Sequence, residues 1–448
     1  MATQLVLLAA GQGTRMKSDR PKVLHEVAGR ALFAHALASA SELDIDRRIV
    51  VVGSGAEAVA AAAEAEDPRI VTVEQRDQLG TGHAVAQARE ALAGAGGDTL
   101  VLYGDTPFIR PETLAAMAAR RESGADIVVL GFEAADPGRY GRLVTEGGAL
   151  LKIVEFKDAT AEERDVTLCN SGVVMADTGT LLDLVAQVGD DNASGEYYLT
   201  DIVGIGRALG LSAAVVTCDE TETLGVNTRA DLAAAEAAFQ ARARARALED
   251  GVTLVAPETV FFAFDTVIGR DALIEPNVVF GPGVTVETGA TIRAFSHIEG
   301  AHVSAGAVVG PFARLRPGAE VGNDARVGNF VEIKNAEIGE GAKVPHLSYV
   351  GDAEIGAAAN LGAGTITCNY DGVAKHRTEI GARAFIGSNT MLVAPVRVGA
   401  GAVTASGTVV TKDVPDGDLA IGRSEQVNKP GRGRRLMDML RDRARKGA

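Results

Sequence analysis

The chain has 448 residues, more than one core usually organises, so two domains are the expectation. Its formal charge of -15 argues against a nucleic-acid partner, and any phosphate-bearing ligand must be small and met by local Lys, Arg or metal. Three widely spaced cysteines, Cys169, Cys218 and Cys368, form no CxxC pair and suit a reducing compartment, and no run approaches the roughly 20 apolar residues of a membrane span, so the expectation is a cytoplasmic protein without a membrane partner.

The first apolar run, Leu5–Ala9, has no basic segment before it and flows into a glycine turn, so it reads as a strand rather than a signal peptide. Further strand-like runs follow at Arg48–Val52, Ile70–Val73, Thr99–Tyr103, Ile127–Phe132 and Ala213–Thr217. Helical composition lies between several of them, at Ala31–Ser41, Glu57–Glu66, His83–Leu92 and Pro111–Glu122. This βαβ rhythm over residues 1–228 predicts a largely parallel sheet covered by helices, with ligands beyond the C-terminal strand ends. Arg229–Glu249 is Ala-dense, holds no Gly or Pro, and lacks a clean 3.6 period. It is expected to be a solvated connecting helix over 229–250.

From residue 251 the texture changes. Apolar residues recur every sixth position at Ile268, Ile274, Phe280, Val286, Ile292 and Ile298, then again from Val303 and, after a further shift, from Ile338. Neither an α-helix nor a plain strand has that period. A parallel β-helix does, one short strand and turn per hexapeptide, and 251–425 is assigned to it. Between Leu361 and Ile380 the repeat is interrupted, which predicts an external loop of the kind that carries binding groups. Residues 426–448 form an Arg-rich tail with no expected catalytic role.

Chemistry concentrates at a few places. Gly11-Gln12-Gly13-Thr14-Arg15 follows the first strand directly, and glycines there let backbone N–H groups approach a phosphate chain. The loop is neither a dinucleotide fingerprint, because Met16 replaces the third glycine, nor a Walker loop. Asp105 ends the strand Thr99–Tyr103, where a carboxylate serves equally as a turn cap or as a ligand for a hard cation such as Mg²⁺. In the repeat half, His346 follows an inward position. Coils about 4.8 Å apart make neighbours of residues separated by one turn.

The run Leu-Ala-Ala-Gly-x-Gly-Thr-Arg-Met with Pro21-Lys22-Val23-Leu24 resembles the signature of sugar-1-phosphate nucleotidyltransferases. With Gln78–Thr81, Tyr103–Asp105, Tyr140–Arg142, Asn170–Gly172, Gly195–Asp201, Gly225–Asn227 and the hexapeptides, residues 5 to 425 resemble the bifunctional N-acetylglucosamine-1-phosphate uridylyltransferase/glucosamine-1-phosphate N-acetyltransferase family. The resemblance implies a Rossmann-like α/β nucleotidyltransferase domain, a connecting helix and a left-handed parallel β-helix. It also implies two reactions: acetyl transfer from acetyl-CoA to glucosamine-1-phosphate, then Mg²⁺-dependent uridylyl transfer from UTP to N-acetylglucosamine-1-phosphate.

Residue roles follow from the same resemblance. Asp105 and Asn227 would hold Mg²⁺, while Arg15 and Lys22 would meet the phosphates. Leu8, Ala9, Gly11, Gln78, Gly80, Thr81 and Tyr103 would surround the nucleotide, and Gly141, Glu155 and Asn170 the amino sugar. In the second half Arg316, Lys334, Tyr349 and Asn360 would bind glucosamine-1-phosphate. His346 would be the general base, oriented by Glu332. Ala363, Asn369, Tyr370, Lys375, Ser388, Ser406 and Arg423 would line the acetyl-CoA site. A homotrimer is implied, with acetyl-CoA between subunits. One departure is Gln12, where many relatives carry Lys, so the loop has one charge fewer. A zinc hydratase built on the same repeats would need three converging histidines, and His297, His302, His346 and His376 lack such spacing.

Overall fold

The computed structural model describes residues 2–446 and divides the chain into two compact units, Met1–Ala243 and Arg244–Ala448. In the first unit the strands are β1 (Thr3–Ala9), β2 (Glu26–Val27), β3 (Arg30–Ala31), β4 (Ile45–Val52), β5 (Val71–Glu74), β6 (Asp98–Tyr103), β7 (Ile127–Glu133), β8 (Arg142–Glu146), β9 (Ala149–Val154), β10 (Leu168–Asp177) and β11 (Ala213–Cys218). The main sheet runs β11-β7-β10-β6-β1-β4-β5, with β8 and β9 as a hairpin attached to β10, while β2 and β3 pair only with each other. Every residue of β1 is buried, as a central strand covered on both faces requires. Each fully buried Leu or Val there is worth about 1.5–3 kcal/mol.

The sheet is mixed. β10 lies antiparallel to both β6 and β7, because the chain leaves the sheet through the β8–β9 hairpin and re-enters from the opposite end. The helices predicted at Ala31–Ser41 and His83–Leu92 are shorter, Leu32–Ser39 and Thr81–Gln87. The second starts at Gly80, whose φ of 116° no β-carbon tolerates easily.

The helix Arg229–Glu249 is less solvated than expected. Ala235 and Gln240 are buried, and Leu232, Ala238 and Phe239 pack on Met16, Val27, Leu32, Phe108 and Val226. The Arg242 guanidinium lies 4.5 Å over the Phe108 ring. An irregular apolar pattern thus still yields one covered stripe.

The second unit is a parallel coil in which each short strand pairs with its successor one turn on, as Ile274 does with Ile292 and Ile292 with Val309. One ladder runs from Thr253–Leu254 to Leu419–Ala420. Two others are joined by the long strands Glu332–Ile338 and Tyr349–Ile355, which turn the corner between faces without a break. The hexad residues Ile274, Ile292, Val309, Val344, Leu361 and Ile386 fill the bore, all fully buried. The coil itself continues into the apparent interruption. Ile366–Cys368 pairs with Met391–Val393, and the loop departs only after Cys368. Its inward residue is Thr367, buried and bonded to Gly351, so a polar side chain hid the repeat.

One corner carries a ladder of aromatic rings. Phe295, Phe312 and Phe330 all have positive φ (60°, 55° and 55°) and stack with centroids 5.0 and 5.2 Å apart. They are about half exposed, and Leu347 extends the column. Left-handed backbone under a bulky side chain costs on the order of 1–3 kcal/mol. Arg432–Lys446 is an exposed helix within the basic tail. Among the described residues, no helix is long and apolar enough to cross a membrane.

Candidate active sites

The first site gathers at the C-terminal end of β1. Gly13 has φ 62°, and a β-carbon on it would come 2.7 Å from Lys22 Cβ, so glycine is what lets the loop close on Lys22. Lys22 Nζ bonds Asp105 at the end of β6 and donates to Asn227 Oδ1 at 3.0 Å. Arg15 Nη2 donates to the same oxygen at 2.9 Å. Asp231 Oδ2 accepts from the Asn227 and Thr228 backbone N–H groups and so fixes the amide's position. Four residues separated by up to 212 positions thus meet at one point.

Beside them opens a cavity of about 220 Å³, with Leu8, Ala9, Gly11, Lys22, Gln78, Gly80, Thr81, Tyr103 and Asp105 in its wall. Gln78 Nε2 donates to the Ala10 carbonyl at 2.7 Å, which pins the side chain across the loop. Tyr103 also borders a neighbouring recess with Asn170, Gly172 and Thr200. Gly172 (φ 92°) leaves room for that ring, since a β-carbon would lie 2.7 Å from it. Burial drives the Tyr103 phenol well above its usual range, so it stays a neutral donor. Gly141 abuts Glu155 and Asn170, and a β-carbon there would sit 3.4 Å from the carboxylate. Burial raises the Glu155 carboxyl above its ordinary value, with Asp158, Asp201 and Glu196 adding to the shift and the Thr200 hydroxyl at 3.3 Å opposing it.

The second site lies along an edge of the coil. His346 is exposed, and its Nδ1 stands 2.9 Å from Asn329 Oδ1, directly one turn below in register. An amide oxygen only accepts, so Nδ1 is the donor in this contact. Glu332 is engaged elsewhere. It is held by Arg316 at 2.8 Å and pairs in register with Tyr349. The orienting contact belongs to Asn329.

On the adjoining face, Lys334 and Lys375 stand side by side, and the first ammonium depresses the titration of the second. Burial penalises the Asp352 charge, but hydrogen bonds from Asn335 and Asn369 and the two ammoniums hold its carboxyl below the usual range. Asn369 Nδ2 reaches the Tyr349 hydroxyl at 3.4 Å. Gly351 makes room for that hydroxyl, which a β-carbon would approach to 2.3 Å. Asn360 is separate: it sits in the ladder that holds the His346 strand, in register with Lys343 and Phe385.

Above His346 the edge continues turn by turn. Gly364 N–H bonds the His346 carbonyl, Asn389 N–H bonds that of Ala363, and Gly407 N–H bonds that of Ser388. Arg423 closes the series on the Ser406 carbonyl at 2.6 Å. Tyr370 and Lys375 lie in the loop, which Asp371 braces from within by accepting from Val373, Ala374 and His376. His302 is engaged by Glu287 and Glu320, and His376 by Asp371.

The model of the MobA-like NTP transferase domain matches residues 5–166, and that of the bacterial transferase hexapeptide (six repeats) matches residues 265–300. The bifunctional protein GlmU of Dinoroseobacter shibae is 69% identical over 448 residues, covering 100% of this chain and 99% of that protein. That of Cereibacter sphaeroides is 66% identical over 446 residues, covering 99% and 98%. The chain belongs to the bifunctional GlmU family. It is an enzyme with two activities, a uridylyltransferase in its N-terminal unit and an acetyltransferase in its hexapeptide unit. Gln75 and Glu196 also line the cavity, and Asn329 meets the histidine; none of the three stands out in the sequence as a site residue. A signal for Asn329 existed: it lies one coil step before His346.

Proposed function

We propose that the cavity beside Lys22 takes UTP and N-acetylglucosamine-1-phosphate, and that the coil edge takes glucosamine-1-phosphate and acetyl-CoA. The convergence of Arg15, Lys22, Asp105 and Asn227 carries the first assignment. A carboxylate and an amide oxygen drawn to one cation are the donor chemistry that Mg²⁺ accepts, with phosphate and water completing its shell. Asp105 and Asn227 would hold that ion, whose role when bound is to neutralise the triphosphate. Arg15 and Lys22 balance charge on the leaving pyrophosphate. The sugar phosphate is already an anionic nucleophile, so its oxygen attacks the α-phosphorus without a protein base, and in-line placement is what the pocket must supply. Glu155, Asn170 and Gly141 line the sugar's side.

For acetyl transfer, Nε2 of His346 takes a proton from the sugar ammonium, the neutral amine attacks the thioester carbonyl, and the C–S bond breaks to release the CoA thiolate, which takes up the proton that the new amide nitrogen sheds. Asn329 keeps the ring in the tautomer that this needs. Arg316, Lys334 and Tyr349 are assigned to the sugar phosphate, with Asn360 reaching from the neighbouring ladder. The paired ammoniums of Lys334 and Lys375 support an anionic ligand, since the charge of Lys334 disfavours that of Lys375 beside it. The edge from Ala363 through Ser388 and Ser406 to Arg423 suits an extended thiol cofactor, with Asn369 and Tyr370 at its side. We assign the chain to a homotrimer in the cytoplasm. The exposed ladder of Phe295, Phe312 and Phe330 beside Asn329 supports assembly with further copies, and the unpaired cysteines support a reducing compartment. Domain limits of 1–228, 229–250, 251–425 and 426–448 complete the proposal.

The test is product analysis. Incubation with UTP, Mg²⁺, acetyl-CoA and glucosamine-1-phosphate is expected to yield UDP-N-acetylglucosamine, CoA and pyrophosphate. Absence of CoA release, or release without nucleotide sugar, removes the corresponding assignment.

A further inference from the structure

A helix in the basic tail belongs to neither site. Residues 424–431 form no helix or strand, the helix Arg432–Lys446 follows, and every described residue of 421–445 is exposed. Gly431 (φ 69°) starts the helix, its carbonyl accepting from the Arg435 N–H at 3.2 Å. Leu, Met and Arg favour helix, and Asp438 pairs with Arg441 at 3.6 Å, one turn on. Its 15 residues are nonetheless marginal as an isolated helix in water, so stability must come from whatever covers one face.

The order of residues draws that face. At about 100° per residue, Leu436, Met437, Leu440 and Ala444 share about a third of the helix surface. The first three are 52%, 50% and 45% exposed. Arg443 and Arg432 border this strip on one side and Arg441 and Arg434 on the other, while Asp438 and Asp442 fall opposite it. Rim arginines lay their stems along an apolar strip and keep their guanidiniums at its border. Residues 432–445 hold six arginines against two aspartates, in a chain whose formal charge is -15. The partner that fits combines negative charge with an apolar interior. A nucleic acid offers the first without the second. An anionic lipid surface offers both, with phosphates level with the rim arginines and acyl chains beneath.

We propose that the helix Arg432–Lys446 adsorbs to anionic lipid, its axis in the headgroup plane and Leu436, Met437, Leu440 and Ala444 turned toward the acyl chains. The lack of a spanning helix among the described residues bears on crossing a bilayer, whereas adsorption needs only one apolar face. The acidic body of the chain is repelled by the same surface. The exposed residues 424–431 relieve this, because eight extended residues reach roughly 26 Å. That is several times the Debye length of about 8 Å, so the body's charge is screened while the helix is bound.

The experiment is co-sedimentation of the full chain with vesicles of phosphatidylcholine alone and of phosphatidylcholine with an equal part of phosphatidylglycerol. The apparent Kd should be about tenfold lower on the anionic vesicles, and about 0.5 M NaCl should remove most of that difference. Leu436→Gln with Leu440→Gln keeps the charge and the helix propensity, and should weaken binding to anionic vesicles about tenfold. Arg434→Gln with Arg441→Gln should narrow the gap between the two vesicle types about tenfold. Uridylyl and acetyl transfer should be unchanged in both variants, which shows intact protein. Absence of binding, equal binding to both vesicles, or undiminished binding in either variant overturns the proposal. A sedimentation coefficient that changes in the leucine variant without lipid assigns the face to another copy of the chain and overturns it too. Tighter binding to poly(U) RNA than to anionic vesicles does the same.

Discussion

The two units build their sites in opposite ways. In the first, side chains from the loops near residues 15, 22, 105 and 227 converge on a single point, and cation and oxygen donors already neutralise one another. In the second, His346, Ala363, Ser388 and Ser406 climb an open edge, one residue per turn, and the charges are unbalanced at Lys334 and Lys375. A mixed sheet brings distant strand ends together, so its site is enclosed by topology. A coil repeats one corner, so its site is a track. The contrast teaches that one chain can carry two chemistries because each fold supplies a different kind of proximity.

The largest expected effect separates the two halves. His346→Ala should lower acetyl transfer by roughly 10²–10⁴-fold, with uridylyl transfer unchanged in the same sample. Asp105→Ala should do the reverse, lowering uridylyl transfer on the order of 10²–10³-fold, and a chelator should mimic it while sparing acetylation. Loss of both activities in either variant would break the comparison.

Smaller effects sharpen it. Asn329→Ala removes the acceptor that sets the His346 tautomer and should cost acetylation about tenfold; the pH–rate profile should shift, which a packing defect would not produce. Phe312→Glu places a charge in the stacked ladder and should move the sedimentation coefficient toward that of a single chain, with uridylyl transfer retained. The smallest effect concerns Glu155. Burial raises its carboxyl in the folded state, so folding takes up a proton just above the ordinary carboxylate range, and stability contributed by this group falls as pH rises through that window. Thermal unfolding of Glu155→Gln should lose that part of the pH dependence.

Much of this was legible in the residues. Six-residue spacing from Ile268 onward announced the coil, and Gly11-x-Gly13 with Arg15 and Lys22 announced the phosphate-facing loop. The antiparallel β10 was not legible, because its partners β6 and β7 lie across a hairpin excursion that leaves no periodic trace. The coil through Thr367 was hidden for a different reason, since a buried threonine stands where Val350 and Leu392 mark the turns on either side. Asn329 was overlooked in favour of Glu332 because the acid is the more familiar partner for an imidazole. Register decides instead: Asn329 lies opposite His346, and Glu332 opposite Tyr349.

The central claim is that two sites, neither needing the other for its own reaction, share one chain and pass a free intermediate between them. Mixing separately purified Asp105→Ala and His346→Ala proteins with UTP, Mg²⁺, acetyl-CoA and glucosamine-1-phosphate tests it most directly. The account predicts that the first protein alone stops at N-acetylglucosamine-1-phosphate, the second alone makes nothing, and the mixture restores the nucleotide sugar. A mixture that stays inactive while each protein retains its other activity would contradict it.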